Sequence, residues 1–169
     1  MKLMSRLLSA TLAIALALVS TGLVHATSLT DFAENRVVDS VIRGQALAAP
    51  TTWHVALYTT CPTDAGGGIE VTGGAYARVA VAASLVAWAG TQGPGTTVAS
   101  TGTGGLTSNN VAIAFPTPSA GWGTVVCWAL VDAATAGNIW IYAALTVSRT
   151  ILTGDGVSFA PGSATVQFD

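Results

Sequence analysis

Asp64, Glu70, Asp132 and Asp155 fall in or beside glycine-rich stretches. By type they are the side chains best suited to chemistry, because two well-placed carboxylates suffice for hydrolysis. Asp is also a common turn residue, since its carboxylate accepts hydrogen bonds from nearby backbone N–H groups, and that bland role is the expectation for these acids. A calcium site shared by two of the loops is the one metal option weighed, but no D-x-D-x-D-G run is present. His54 stands alone in a strand-like segment, with no G-x-S-x-G serine for it to activate. Gly66–Gly68 lacks the Lys-Ser/Thr of a phosphate-binding loop and does not resemble G-x-G-x-x-G opening a helix. The sequence therefore predicts no catalytic residues, no metal and no cofactor.

Two other residue types invite a reading. Cys61 and Cys127 are the only cysteines. In an oxidising compartment they could pair, and elsewhere they would be two buried thiols; the separation of their Cα atoms decides, and the sequence does not give it. A zinc site is disfavoured, as there is no C-x-x-C and His54 is the only histidine outside the leader. Five tryptophans could stack on sugars through their flat apolar faces. Trp128 and Trp140 sit in apolar strands and are expected in the core. Trp122, between Gly121 and Gly123, is expected to plug one end of the fold. Trp88, just before the polar loop from Gly90 to Gly105, is the one candidate ligand contact.

Strands must position these residues. After Pro50 the apolar period is two: Trp53, Val55 and Leu57 alternate with His54, Ala56 and Tyr58. Similar runs recur at Tyr76 to Ala82, Asn110 to Phe115, Thr124 to Val131, Ile139 to Leu145 and Thr165 to Phe168, with glycine turns between them. Short strands punctuated in this way predict a mostly β chain, a β-sandwich or jelly-roll-like domain. One helix precedes them. SLTDFAENRVVDSVIR, from Ser28 to Arg43, has Ser28 as expected N-cap, an Asp39/Arg43 pair, and Gly44 as its stop. Its stripe of Ala33, Val37 and Val41, widened by Val38 and Ile42, is expected to pack on the sheet.

Residues 1–26 read as a signal peptide or an upstream extension, and residues 27–169 as a single β-rich domain. Lys2 and Arg6 precede an uncharged apolar stretch from Leu7 to Val24, and Val24 and Ala26 fit a cleavage site after Ala26. A retained anchor is the competing reading, since 18 residues touch the lower bound for a membrane helix. After cleavage no stable membrane span is expected. The remainder would carry four arginines, no lysine and eight acids. That excludes a basic stripe for phosphates, so nucleic acid is not an expected partner. Charged residues make up only 8% of the chain, against roughly a quarter in an average domain, and mean hydropathy is +0.60. A surface so poor in charge suits a subunit partly covered by neighbours, and a homo-oligomer is expected.

From Leu29 onward the order of segments resembles a family of small bacteriophage and prophage virion proteins, described as tail-fibre and in some cases capsid-decorating proteins. The matching stretches include LTDFAENRVVDSVIRGQ, HVALYTTCPTDAGGGIEVTGGAYARVAV, the FPTPSAGWGTV segment with the DAATAGN turn, and GDGVSFAPGSATVQFD. The resemblance implies a non-enzymatic virion structural protein, with other virion proteins as partners, located in the particle. Members of that family typically begin near the LTD segment, so the leader departs from the pattern. If the leader is genuine, secretion or a periplasmic location follows. The alternative function is then a secreted β-sandwich that binds carbohydrate, such as a host-surface glycan, or another cell-surface ligand.

Overall fold

The computed structural model describes residues 28–168. The signal-like segment of residues 1–26 lies outside them. The described residues are mostly β, with one short helix. In chain order they form β1 (Ser28–Leu29), α1 (Asp31–Val41), β2 (Thr52–Thr60), β3 (Ile69–Glu70), β4 (Val79–Ala82), β5 (Leu106–Ser108), β6 (Ile113–Ala114), β7 (Gly123–Val131), β8 (Ile139–Ile151), β9 (Ser158–Phe159) and β10 (Thr165–Gln167).

One antiparallel sheet dominates, in the order β1-β8-β7-β2, with β3 and β4 sharing the outer edge of β2. Strand alternation sends Val55, Leu57, Trp128 and Leu130 to one face, where two short ladders, β5 with β10 and β6 with β9, bring up Ile113, Phe159 and Val166. Ala56, Tyr58, Cys127 and Ala129 point to the other face and form a smaller buried cluster. The middle of β2 is thus buried on both sides. Between β7 and β8 the register passes from Leu130↔Ile141 to Val131↔Ile139, and the residue skipped is Trp140. This bulge turns the Trp140 ring into the larger cluster, edge-on to Trp53 at 5.6 Å and to Phe32 at 5.5 Å.

The helix forms where the sequence places it, with two corrections. Its N-cap is Thr30 and not Ser28: the Thr30 hydroxyl accepts from Ala33 N at 3.4 Å, while Ser28 is held in β1 opposite Tyr142. Thr30 directly precedes the first helical residue, whereas the Ser28 backbone is held in β1. The helix ends at Val41, and Gly44 takes φ +70°, beyond which Gln45 N returns to Asp39 O at 3.0 Å. The second correction concerns the apolar stripe. Ala33 is buried, but Val37, Val38, Val41 and Ile42 are exposed, Val41 by 73% and Ile42 by 77%. The helix touches the sheet through its first turn and then leaves it, so the expected packing of Val37 and Val41 does not occur.

Candidate functional site

The turn that follows β7 shows what its acid does. Asp132 Oδ1 accepts from Asn138 N at 2.7 Å, and Oδ2 accepts from Asn138 Nδ2 at 3.0 Å and Trp140 Nε1 at 3.2 Å. Burial alone would push this carboxyl up; the hydrogen bonds from Asn138 and Trp140 outweigh it and hold the group below the usual carboxylate range. Gly137, at φ +78°, closes the turn, and a Cβ there would collide with Asp132 Oδ1. Asp155 likewise accepts from Leu152 N at 2.7 Å. Both acids therefore play the backbone-capping role that turn chemistry predicts.

Glu70 is committed differently. It grips Arg78 in a fork, Nε to Oε1 at 2.8 Å and Nη2 to Oε2 at 2.7 Å. Arg78 Nη1 reaches on to the carbonyls of Ala133 and Ala136, both at 2.7 Å. The same Glu70 oxygen accepts from the Tyr76 hydroxyl at 3.0 Å, and that hydroxyl accepts from Leu57 N at 2.9 Å. The Glu70 hydrogen bond raises the Arg78 pKa. Burial pushes the Tyr76 hydroxyl up, and it pushes Tyr58 up to about 12 with help from the Glu70 charge, so both phenols stay protonated and Tyr76 remains a donor. A cleft of about 540 Å³ lies over this network, lined by Thr72, Tyr76, Arg78 and the 134–136 turn. Its charges are already paired, and it functions as a clamp tying the β2 edge to the β7–β8 turn. The sequence did not reveal the clamp, because Glu70 read as a turn acid; the GGAYAR segment held the other two members.

Asp64 and Asp31 line a cleft of about 330 Å³ with Thr30 and Asn138, and Asp64 O accepts from Asp31 N at 2.9 Å. Among the described residues no three His, Cys, Asp or Glu side chains gather in one place. His54 is half-buried in β2, opposite Ala80 and Val131.

Trp128 and Trp140 are buried as expected, and Trp122 is also buried, against Tyr76 at 5.3 Å, its Nε1 donating to Gly74 O at 2.9 Å. Trp88 is half-buried. With Trp53, Ser84, Leu85, Gly90 and Ser100 it lines an open cleft of about 390 Å³. Its indole N–H is enclosed and has no acceptor among the described residues. Trp53, which the sequence left among the generic aromatics, is the second ring of that cleft.

Cys61 follows β2, and Cys127 stands in β7, fully buried. Their Cα atoms are 5.3 Å apart, inside the span a disulfide requires.

Compared with known proteins, residues 28–167 match a family model described as Podophage GP4 fiber I protein gp80. No curated protein matches the chain significantly.

Proposed function

Because the chain belongs to the Podophage GP4 fiber I protein gp80 family, we propose that it is a virion structural subunit of the tail-fibre type, without enzymatic activity. The observation that carries this reading is the family match over nearly all of the described chain. The commitment of Glu70, Asp132 and Asp155 to hydrogen bonds within the fold supports it, since a catalytic carboxylate must be available to substrate. We take its place to be the virion particle and its partners to be other copies of itself and other virion proteins. The two short ladders lying on the large sheet act, in this reading, as the second layer of a β-sandwich. Among the described residues no helix is long and apolar enough to cross a membrane.

Immunogold labelling of particles with an antibody against the β domain tests the assignment. Label on the tail is expected. Label spread over the head would favour capsid decoration, and unlabelled particles would overturn the structural role.

The Trp53–Trp88 cleft favours one second reading, a module that binds a surface glycan by ring stacking. In a glycan array, retention that Trp88→Ala abolishes would support it, and no retention of the unaltered protein would remove it. We further propose that Cys61 and Cys127 are joined as a disulfide, which requires assembly in, or exposure to, an oxidising compartment.

A further inference from the structure

Residues 28–43, β1 with α1, form an N-terminal arm that is held by its start. Ser28 and Leu29 pair with Tyr142 and Ile141, and Thr30 N donates to Trp140 O at 3.1 Å. Asp31 N donates to Asp64 O at 2.9 Å, and Phe32 meets the Trp140 ring at 5.5 Å. Thr30 and Ala33 are buried, whereas every residue from Val41 to Ala49 is exposed. The chain rejoins the domain at Thr51, whose carbonyl accepts from Ala83 N at 2.9 Å. The linker in between turns at a residue ill suited to the task. Ala48 takes φ +51°, the left-handed region in which its Cβ crowds the following carbonyl, while Gly44 holds φ +70° without that strain. Ala49, ahead of Pro50, is steered toward the extended region. Straightened, the seven residues from Gly44 to Pro50 would reach roughly 23 to 25 Å, and Ala48 would leave the left-handed region.

We propose that this arm exchanges between two copies of the chain, residues 28–33 of each seated on the start of β8 of the other, an inference that rests on reading the chain as a self-associating structural subunit. The contacts themselves fix the occupant. The site at Ile139 to Tyr142 receives this segment in antiparallel register, and a second copy supplies the same backbone, the same Thr30 hydroxyl for Ile139 O and the same Phe32 ring for Trp140. Exchange therefore keeps every contact of the arm and releases the strain at Ala48; hinges under strain are where such exchange starts. Reciprocal exchange relates the two chains by a two-fold axis and closes the assembly, so that each β8 site is completed by residues of the other copy. Ladder hydrogen bonds and aromatic burial hold the contact, without ion pairs.

Leu29 and Ile141 are direct cross-strand partners, so cysteines at both positions lie within disulfide reach. The full chain carrying Leu29→Cys/Ile141→Cys, mildly oxidised and run on a gel without reductant, should give a covalent dimer that reductant returns to monomer. Leu29→Cys and Ile141→Cys chains of different tag length, refolded together, should give the mixed dimer, and this arrangement spares each chain the second substitution. Bonds formed wholly within one chain, in a protein that sediments as an assembly, overturn arm exchange and leave self-association standing. A parent that sediments as a monomer at every concentration overturns both, and immunogold labelling of particles then judges the structural role separately. A folded double variant with no new bond contradicts the seating of the arm on β8, and the proposal with it. The hinge supplies a second measurement. Ala48→Gly, which accepts a positive φ without strain, should lower the cross-linked fraction, and Ala48→Pro, in which the ring forbids that φ, should raise it. Fractions unchanged in both variants would contradict the hinge as the source of exchange.

Discussion

The indole nitrogen of Trp140 donates to the Asp132 carboxylate at 3.2 Å, joining the bulged residue of β8 to the turn that precedes it. The folded pKa of Asp132 is held below its unfolded value. Its contribution to stability is therefore fully present above the ordinary carboxylate value near 3.9, and is lost as pH falls through the lowered folded value. Asp132→Ala should cost about 1.5 to 3 kcal/mol at neutral pH, the range for hydrogen bonds to a charged acceptor. Urea unfolding should show the gap between parent and variant narrowing as the pH drops into the carboxylate range. A gap independent of pH would mean that the charge is not what holds the turn.

Replacing Glu70 should be more damaging. The Arg78 side chain is only 9% exposed, and Glu70→Gln leaves its guanidinium without an anion. A loss of about 2 to 4 kcal/mol is expected, somewhat below the full cost of an unpaired buried charge because Glu70 itself retains some exposure. Arg78→Lys should not be tolerated as a conservative change, since one ammonium cannot reproduce the fork to Glu70 and the reach to two carbonyls. Denaturant midpoints of both variants equal to the parent's would show that the clamp is ornamental.

If Cys61 and Cys127 are bonded, their separation of 66 residues makes the closed loop long, and removing the cross-link should cost about 4 kcal/mol on the chain-entropy relation. The Cys61→Ser/Cys127→Ala pair of changes, compared with the oxidised parent by thermal unfolding, gives the figure. Two free thiols found by alkylation of the native protein would dispose of the bond.

Assembly should survive salt. Few charges are available for any contact, and exposed ion pairs contribute only about 0 to 1 kcal/mol each, whereas apolar burial contributes roughly 25 cal/mol per Å². At about 1 M salt the Debye length is near 3 Å, so exposed charges are screened while apolar burial is not weakened. Sedimentation at low and high salt should give the same oligomer, and dissociation by salt would assign the contact to charge instead.

What could be read from the sequence depended on how long each pattern ran. β2, β7 and β8 are nine, nine and thirteen residues long, enough for the alternation of Val55, Leu57, Trp128 and Leu130 to declare itself. β1, β3, β5 and β9 span two or three residues, too few for any period, and exist because neighbouring backbone offers them partners. The helix was legible from its 3.6-residue stripe, but amphipathicity states only that a face wants cover, not what covers it, and so Val41 was misplaced in the core. Asp132 and Asp155 followed turn chemistry. The Glu70–Arg78 clamp and the cleft that Trp53 and Trp88 both line join residues 8 and 35 apart, which no local pattern reports.

The claim that this chain is built into a virion is tested most directly by mass spectrometry of purified particles. The account predicts peptides spanning residues 28–167 in fixed ratio to other structural proteins of the particle, through successive gradients. Particles free of those peptides, with the protein found intact elsewhere in the same preparation, would contradict it.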